Sequence, residues 1–324
     1  MRKILVFNRL GIGDVVVTTP LAQLIKENFD AKVGFVVAAK SADILKNHDY
    51  IDDVFPYTKR TKREVISQIK AKCYNEAIIV DERFSSSLLA WKSGAKLLNV
   101  GKEMSVGIKR IFIRKQHELR ASEDFGSYIK LLSPTIQYKG ILPKVGNMDE
   151  TRAEYVKDWL NKIFAMSKHL VLIVPRSAAD NKNWPRESFA ELNRYLNQRG
   201  VVPAYIGSSA DKEYIDQIGG KKYNAAGELS LRELPVIAKK AAFAVSVCTG
   251  PLHIIGTANI PILAIYGQGE PKRWAPASAI VVQSKLPCVP CLRLDCSQPK
   301  GQTCMDEILP SRLVDIIETN KLLQ

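Results

Sequence analysis

Short apolar runs, each followed by a stretch of helical period, recur along this chain and leave few folds open to it. They are Ile4 to Phe7, Lys32 to Val37, Ala77 to Val80, His169 to Val174, Val201 to Ile206, Phe243 to Val247 and Pro261 to Tyr266. Unbroken apolar runs of this length read as strands covered on both faces, which is the habit of parallel sheets. Strands that alternate with helices imply an α/β fold of the doubly wound kind. Between Ser133 and Glu150 the rhythm stops, and Pro134, Gly140, Pro143 and Gly146 mark a linker. With 324 residues and 46% hydrophobic content the chain can bury two cores. The expected architecture is two Rossmann-like domains, residues 1–147 and 148–324, facing across a cleft.

The first strand opens into Gly11-Ile12-Gly13-Asp14, and an apolar helical pattern follows through Leu21, Leu24 and Ile25. Ligands of open α/β sheets bind at the carboxyl ends of strands, so this turn should face a ligand. It is not a dinucleotide fingerprint. Val16 stands where a third glycine belongs, and the second strand ends in Ala38-Ala39-Lys40 without an acid for a ribose. A carboxylate at such a turn suits the removal of a proton from an attacking hydroxyl. The open alternative is an ordinary capping aspartate. Either Asp14 caps a helix kinked at Pro20, or Thr19 caps one with Pro20 in its first position.

The formal net charge is +14, an excess of eight cations in residues 1–150 and six in the rest. A chain this basic throughout expects anionic company. The densest cluster is Lys59-Arg60-Thr61-Lys62-Arg63, and a second stripe holds Lys109, Arg110, Arg114 and Lys115. Four apolar residues after Met1-Arg2-Lys3 are too few for a signal peptide, and no run approaches a membrane span. The expectation is a cytoplasmic protein with reduced cysteines. Charge alone would also allow a nucleic-acid binder, but the chain has neither a zinc-finger repeat nor an aromatic RNA-binding motif. Nucleic acid is therefore not an expected partner.

Three motifs in order carry a resemblance. Ile4 to Pro20, with Gly-Ile-Gly-Asp-Val-Val-Val-Thr-Thr-Pro at its end, resembles the amino terminus of the bacterial lipopolysaccharide heptosyltransferases. Lys182-Asn183-Trp184-Pro185 resembles their K-x-W-P segment. Cys248-Thr249-Gly250-Pro251-Leu252-His253, continued through Tyr266-Gly267 and Trp274-Ala275-Pro276, resembles their D-T-G-x-x-H donor signature. The resemblance spans nearly the whole chain. It implies a GT-B fold and inverting transfer of a sugar, typically from ADP-heptose, without metal or cofactor. The implied partners are a nucleotide-sugar donor and an anionic glycolipid acceptor, the lipopolysaccharide inner core. Transient contact with the inner face of the inner membrane follows.

On that pattern Asp14 is the general base, set in the Gly11 and Gly13 turn, and Lys182 holds the donor phosphates. Arg176, Ser177, Cys248, Thr249, Gly250 and His253 join Lys182 at the donor site. Lys59, Arg60, Lys62 and Arg63 face the acceptor. The chain contains no Asp-x-Asp, the usual metal clamp for a nucleotide diphosphate, so cationic side chains must meet the leaving charge. Each residue has a plainer reading: Lys182 as a solvated loop lysine, His253 as a core histidine, and the basic cluster as a solvated face. Trp184-Pro185 reads as the structural start of a helix. The competing functions are transfer of another sugar or to another acceptor, and nucleotide binding without transfer.

Two cysteine features stand out. Cys248 replaces the aspartate of the donor signature, so an acceptor of several hydrogen bonds gives way to a weakly bonding thiol. Glu270 is a candidate substitute. Cys288, Cys291, Cys296 and Cys304 crowd one short segment, and the alternative to free thiols there is a structural metal site.

Overall fold

The computed structural model describes residues 1–101, 119–138, 140–220, 223–293, 295–299 and 302–324. Ile108 to Ile113, where apolar and basic residues alternate in the sequence, and the stripe of Lys109, Arg110, Arg114 and Lys115 lie outside the described residues. The chain forms two compact units, Met1–Asn147 and Met148–Gln324.

The first unit runs β1 (Arg2–Asn8), α1 (Ile12–Asn28), β2 (Ala31–Ala38), β3 (Asp53–Tyr57), α2 (Lys62–Ala71), β4 (Glu76–Ile79), α3 (Phe84–Lys92), β5 (Lys96–Leu97) and α4 (Ala121–Gly126). Its sheet is parallel, in the order β3-β2-β1-β4-β5. Leu5 and Phe7 of β1 face Val65 and Ile69 of α2 and Leu89 and Ala90 of α3. The period of two sends Ile4 and Val6, equally buried, to the opposite face. The proline of β3 is tolerated because that strand is the sheet edge.

Helix α1 differs from both expectations for its start. Its N-cap is Gly11, Asp14 occupies the third helical position, and Pro20 lies inside the helix. A proline there removes the bond to the carbonyl four residues back. The Thr19 hydroxyl donates to that carbonyl, Val16 O, at 2.8 Å instead, so the helix continues. Ser41 with Ile44 and Leu45 reads in the sequence as a short capped helix; the structure has two 3₁₀ turns there, Ala39–Ser41 and Asp43–Leu45. The segment read as linker is tied to the first unit at its end. Lys144 N donates to Thr19 Oγ1 at 2.9 Å, Gly146 N to Ile44 O at 2.7 Å and Asn147 N to Asn47 O at 3.1 Å. A Cβ on Gly146 would lie 1.8 Å from Lys46 O.

The second unit runs α5 (Ala153–Phe164), β6 (Leu170–Val174), α6 (Arg186–Gln198), β7 (Val202–Tyr205), α7 (Lys212–Ile215), α8 (Leu234–Ala238), β8 (Phe243–Val247), α9 (Gly250–Gly256), β9 (Ile262–Tyr266), α10 (Pro271–Trp274), β10 (Ala279–Gln283) and α11 (Pro310–Thr319). Its parallel order is β10-β9-β8-β6-β7. Val171, Ile173, Val245, Val247, Leu263 and Ile265 pack under Phe189, Leu192 and Leu196 of α6 and Leu313 and Ile317 of α11. The pattern from Ser230 to Ala241 reads in the sequence as one helix kinked at Pro235, but Pro235 sits in the first turn of the shorter α8, where no backbone N–H is needed. Among the described residues no helix is long and apolar enough to cross a membrane.

Both sheets reverse their strand order once, between β1 and β4 in the first unit and between β6 and β8 in the second. In open parallel sheets such a reversal opens a crevice at the carboxyl ends of the two strands, where ligands bind. The loops leaving those four strands therefore carry the candidate chemistry.

Candidate functional site

In the first unit the first turn of α1, directly after β1, holds Asp14. Its Oδ2 accepts a hydrogen bond from the backbone N–H of Gly11 at 3.0 Å, the returning half of a capping box. The glycine at 11 is not required for an unusual backbone angle, since φ is −75°. A Cβ there would lie 3.1 Å from Asp14 Oδ2, so glycine gives the carboxylate room to fold back. Asn8, fully buried, fixes the same turn. Its Nδ2 donates to Asp14 O at 3.0 Å and Thr18 Oγ1 at 2.8 Å, and its Oδ1 accepts from Leu10 N at 3.2 Å. The capping and the chemical readings of Asp14 are thus compatible: the cap bond sets the position of a half-buried carboxylate.

Beside this turn lies a buried ion pair that sequence reading did not single out. Arg9, at the end of β1, meets Asp81, at the end of β4, with side-chain exposures of 5% and 0%. Asp81 Oδ2 accepts from Arg9 N at 3.1 Å and Ser86 Oγ at 2.7 Å, while Oδ1 accepts from Arg83 N at 3.2 Å. The guanidinium also donates to Ser86 Oγ at 2.8 Å and Ser85 Oγ at 2.6 Å. It stands 4.6 Å from the centre of the Tyr57 ring. A buried charge persists only when paired and hydrogen-bonded, and this one is both. The only sequence signal for it was an acid at the end of a buried strand.

The basic cluster follows β3 on the same edge of the sheet. Thr58 and Thr61 exchange bonds that close its turn, Thr58 N to Thr61 Oγ1 at 2.9 Å and Thr61 N to Thr58 Oγ1 at 3.0 Å. Lys59, Arg60 and Arg63 are exposed and Lys62 is half-buried. The structure thus gathers Gly11, Gly13, Asp14 and these four cations on the carboxyl edge of the first sheet.

In the second unit the loop leaving β6 is closed by Asn183, whose Oδ1 accepts from Ser177 N at 2.7 Å and whose Nδ2 donates to Ser177 O at 3.2 Å. Lys182 ends a 3₁₀ turn, Asp180–Lys182, and is half-buried. Trp184 is 1% exposed, donates from Nε1 to Ile308 O at 2.7 Å and meets Phe189 edge-on at 4.9 Å. It anchors the start of α6 from inside the core. Arg176 turns toward the loop after β7, where Asp211 Oδ1 lies 3.5 Å away and the Tyr214 ring centre 5.3 Å.

Across the crevice, Thr249 is the N-cap of α9 and Gly250 its first residue. His253 is 8% exposed and meets Trp274 edge-on at 6.3 Å, and the buried Arg273 guanidinium lies 5.2 Å from the centre of that indole. Burial, helped by the positive charge of Lys182, pushes the His253 imidazole down to about 4. At neutral pH it is therefore uncharged, and Lys182 rather than His253 supplies positive charge here. Cys248 is half-buried, its Sγ 3.9 Å from where a Cβ of Gly269 would stand, and Glu270 caps α10 just beyond.

Of the two readings open for Cys288, Cys291, Cys296 and Cys304, free thiols and a structural metal site, the structure presents the thiols. All four are free thiols, and no group of three or more His, Cys, Asp or Glu among the described residues is arranged to hold an ion. Cys304 is buried against Gly267, while Cys288 and Cys296 face water. Burial and the neighbouring thiols push the Cys304 thiol up to about 11, which keeps it protonated.

Known proteins agree with this architecture. Lipopolysaccharide core heptosyltransferase OpsX of Haemophilus influenzae is 25% identical over 285 residues, covering 82% of this chain and 79% of that protein. The crystal structure of a family 9 glycosyl transferase from Veillonella parvula superimposes with a TM-score of 0.79 at 18% identity, covering 100% of this chain and 98% of the other. The E. coli ADP-heptose LPS heptosyltransferase II gives 0.74 at 18% identity, with the same coverage. These likenesses show a GT-B fold of two Rossmann-like domains. Glycosyltransferase family 9 (heptosyltransferase) matches residues 62–301, well over half of the sequence, and the chain belongs to that family of glycosyltransferases.

Proposed function

We propose that this enzyme moves a heptose from ADP-heptose, with inversion and without a metal ion, onto the inner core of a lipopolysaccharide acceptor. The observation that carries the reading is the Asp14 carboxylate, held by the Gly11 N–H at the carboxyl end of the central strand β1. Its relatives are named for transfer from ADP-heptose and to the lipopolysaccharide core. Asp14 takes the proton of the acceptor hydroxyl as that oxygen attacks the anomeric carbon. The bond from that carbon to the diphosphate breaks, and the nucleoside diphosphate leaves with the electron pair. Lys182 meets the growing negative charge. Lys59, Arg60, Lys62 and Arg63 suit an acceptor bearing phosphates and acidic sugars. Such an acceptor is made on the inner face of the inner membrane, and the enzyme works there.

A thermal-shift panel of nucleotides tests the donor. Stabilisation by ADP and ADP-heptose above UDP, GDP and their sugars is the expected result. A response confined to UDP or GDP moves the donor, and one confined to nucleic acid overturns the reading. Lys182→Ala is expected to weaken ADP binding by about tenfold to a hundredfold, the worth of a charge-assisted contact, while adenosine binding stays nearly constant. Calorimetric titration of both ligands measures this, and equal losses would give the lysine a structural role only.

Cys248 favours a variation on the same theme. A thiol offers sugar hydroxyls far less than a carboxylate does, so the donor contact in this enzyme differs from that of relatives with aspartate there. Cys248→Asp is expected to change the ranking of nucleotide sugars in a donor-competition assay. If the wild type already uses ADP-heptose well and the variant ranks donors identically, the cysteine only packs.

A further inference from the structure

Helices α2 and α3 cover the same face of the first sheet, sending Val65, Ile69, Leu89 and Ala90 inward. Their outward sides therefore lie next to each other. On α3 that side carries Phe84, Leu88 and Trp91, spaced at i, i+4 and i+7. Phe84 is 46% exposed and Trp91 64%. On α2 the same spacing brings out Arg63, Ser67 and Lys70, all exposed, and Lys92 and Lys96 stand exposed at the far end of α3 and the start of β5. The exposed acids of these stretches are Glu64 and Glu82. Each is engaged: Glu64 accepts from Gln68 at 3.1 Å and Glu82 from the Tyr128 hydroxyl at 3.5 Å.

A large indole turned to water beside a field of cations has a physical counterpart. Tryptophan settles at the level of lipid headgroups, where its ring is covered and its N–H stays wet. Lysine and arginine near the surface are drawn to anionic lipids. We propose that the outer side of α2 and α3 is the surface by which this protein rests on an anionic lipid bilayer, with Phe84 and Trp91 seated among the headgroups and Arg63, Lys70, Lys92 and Lys96 on the lipid phosphates. A second copy of the chain fits the surface poorly. A two-fold contact sets the same patch against itself, which would bring these cations together.

The inference gives the lipid-borne acceptor of the proposed function a place to be met, and takes its purpose from that reading. Its test does not depend on it, because the vesicles used contain no acceptor. The full-length protein is sedimented with vesicles of phosphatidylglycerol and phosphatidylcholine, and with phosphatidylcholine alone. Binding to the anionic vesicles only is expected. The double variants F84S/W91S and K70E/K92E are each expected to lower that partition by about tenfold or more while melting like the wild type. Lipids brominated in the acyl chain should quench the wild-type tryptophan fluorescence, and Trp91→Phe should abolish that quenching. Failure of the wild type to bind anionic vesicles, unchanged binding in both double variants, or quenching that survives Trp91→Phe overturns the proposal. So does a dimer in sedimentation velocity that the F84S/W91S change dissolves. Loss of ADP-heptose transfer as a reading would leave the vesicle results standing.

Discussion

Asp14→Asn is expected to preserve the fold and nucleotide binding of the enzyme and to lower its turnover by roughly 10²–10⁴, the usual worth of a positioned base. The substitution separates the two uses of the side chain. Its cap bond is accepted from the Gly11 N–H at 3.0 Å, and the amide oxygen of asparagine accepts the same bond, so α1 should start where it does now. The amide cannot take a proton from a sugar hydroxyl. Initial rates at saturating donor and acceptor measure the loss, with circular dichroism and ADP titration as controls. Near-normal turnover would reduce Asp14 to a helix cap and remove the proposed mechanism.

The second large effect is on stability. Asp81→Ala strands the Arg9 guanidinium, whose side chain is only 5% exposed. Breaking a buried pair on one side typically costs about 3–5 kcal/mol, because the surviving charge keeps its desolvation penalty without its partner. The double change R9M/D81L removes both charges, and should recover most of that loss. Urea denaturation of the three proteins decides the matter. A loss below about 1 kcal/mol in Asp81→Ala would place it in the range of an exposed pair, and Arg9 would have to be satisfied by Ser85, Ser86 and Tyr57.

That pair also marks where sequence reading stops. Buried strands announce themselves by composition, and Phe243–Val247 has the bounds its sequence implies. The turns that carry Asp14, Lys182 and Thr249 follow such runs, so their place at strand ends was legible too. Arg9 and Asp81 are 72 positions apart, and only the pairing of β1 with β4 brings them together. Strand β10, Ala279–Gln283, was not read: it is an edge strand, partly exposed and preceded by no helical period. Proline misled in both directions. Its cost depends on whether the orphaned carbonyl finds another donor, as Val16 O does in Thr19, and a one-dimensional pattern does not show that.

Gly146 gives the chain a sharp border. Residues 144–147 belong to no helix or strand, yet three of their backbone N–H groups are bonded to residues at 19, 44 and 47. With backbone at Lys46 lying where a Cβ would go, this clasp admits no side chain. Amides at 144, 146 and 147 should consequently exchange with deuterium more slowly than their irregular backbone suggests. A protease acting on the folded protein should spare this segment, for the same bonds that slow exchange also deny an enzyme the extended strand it must grip.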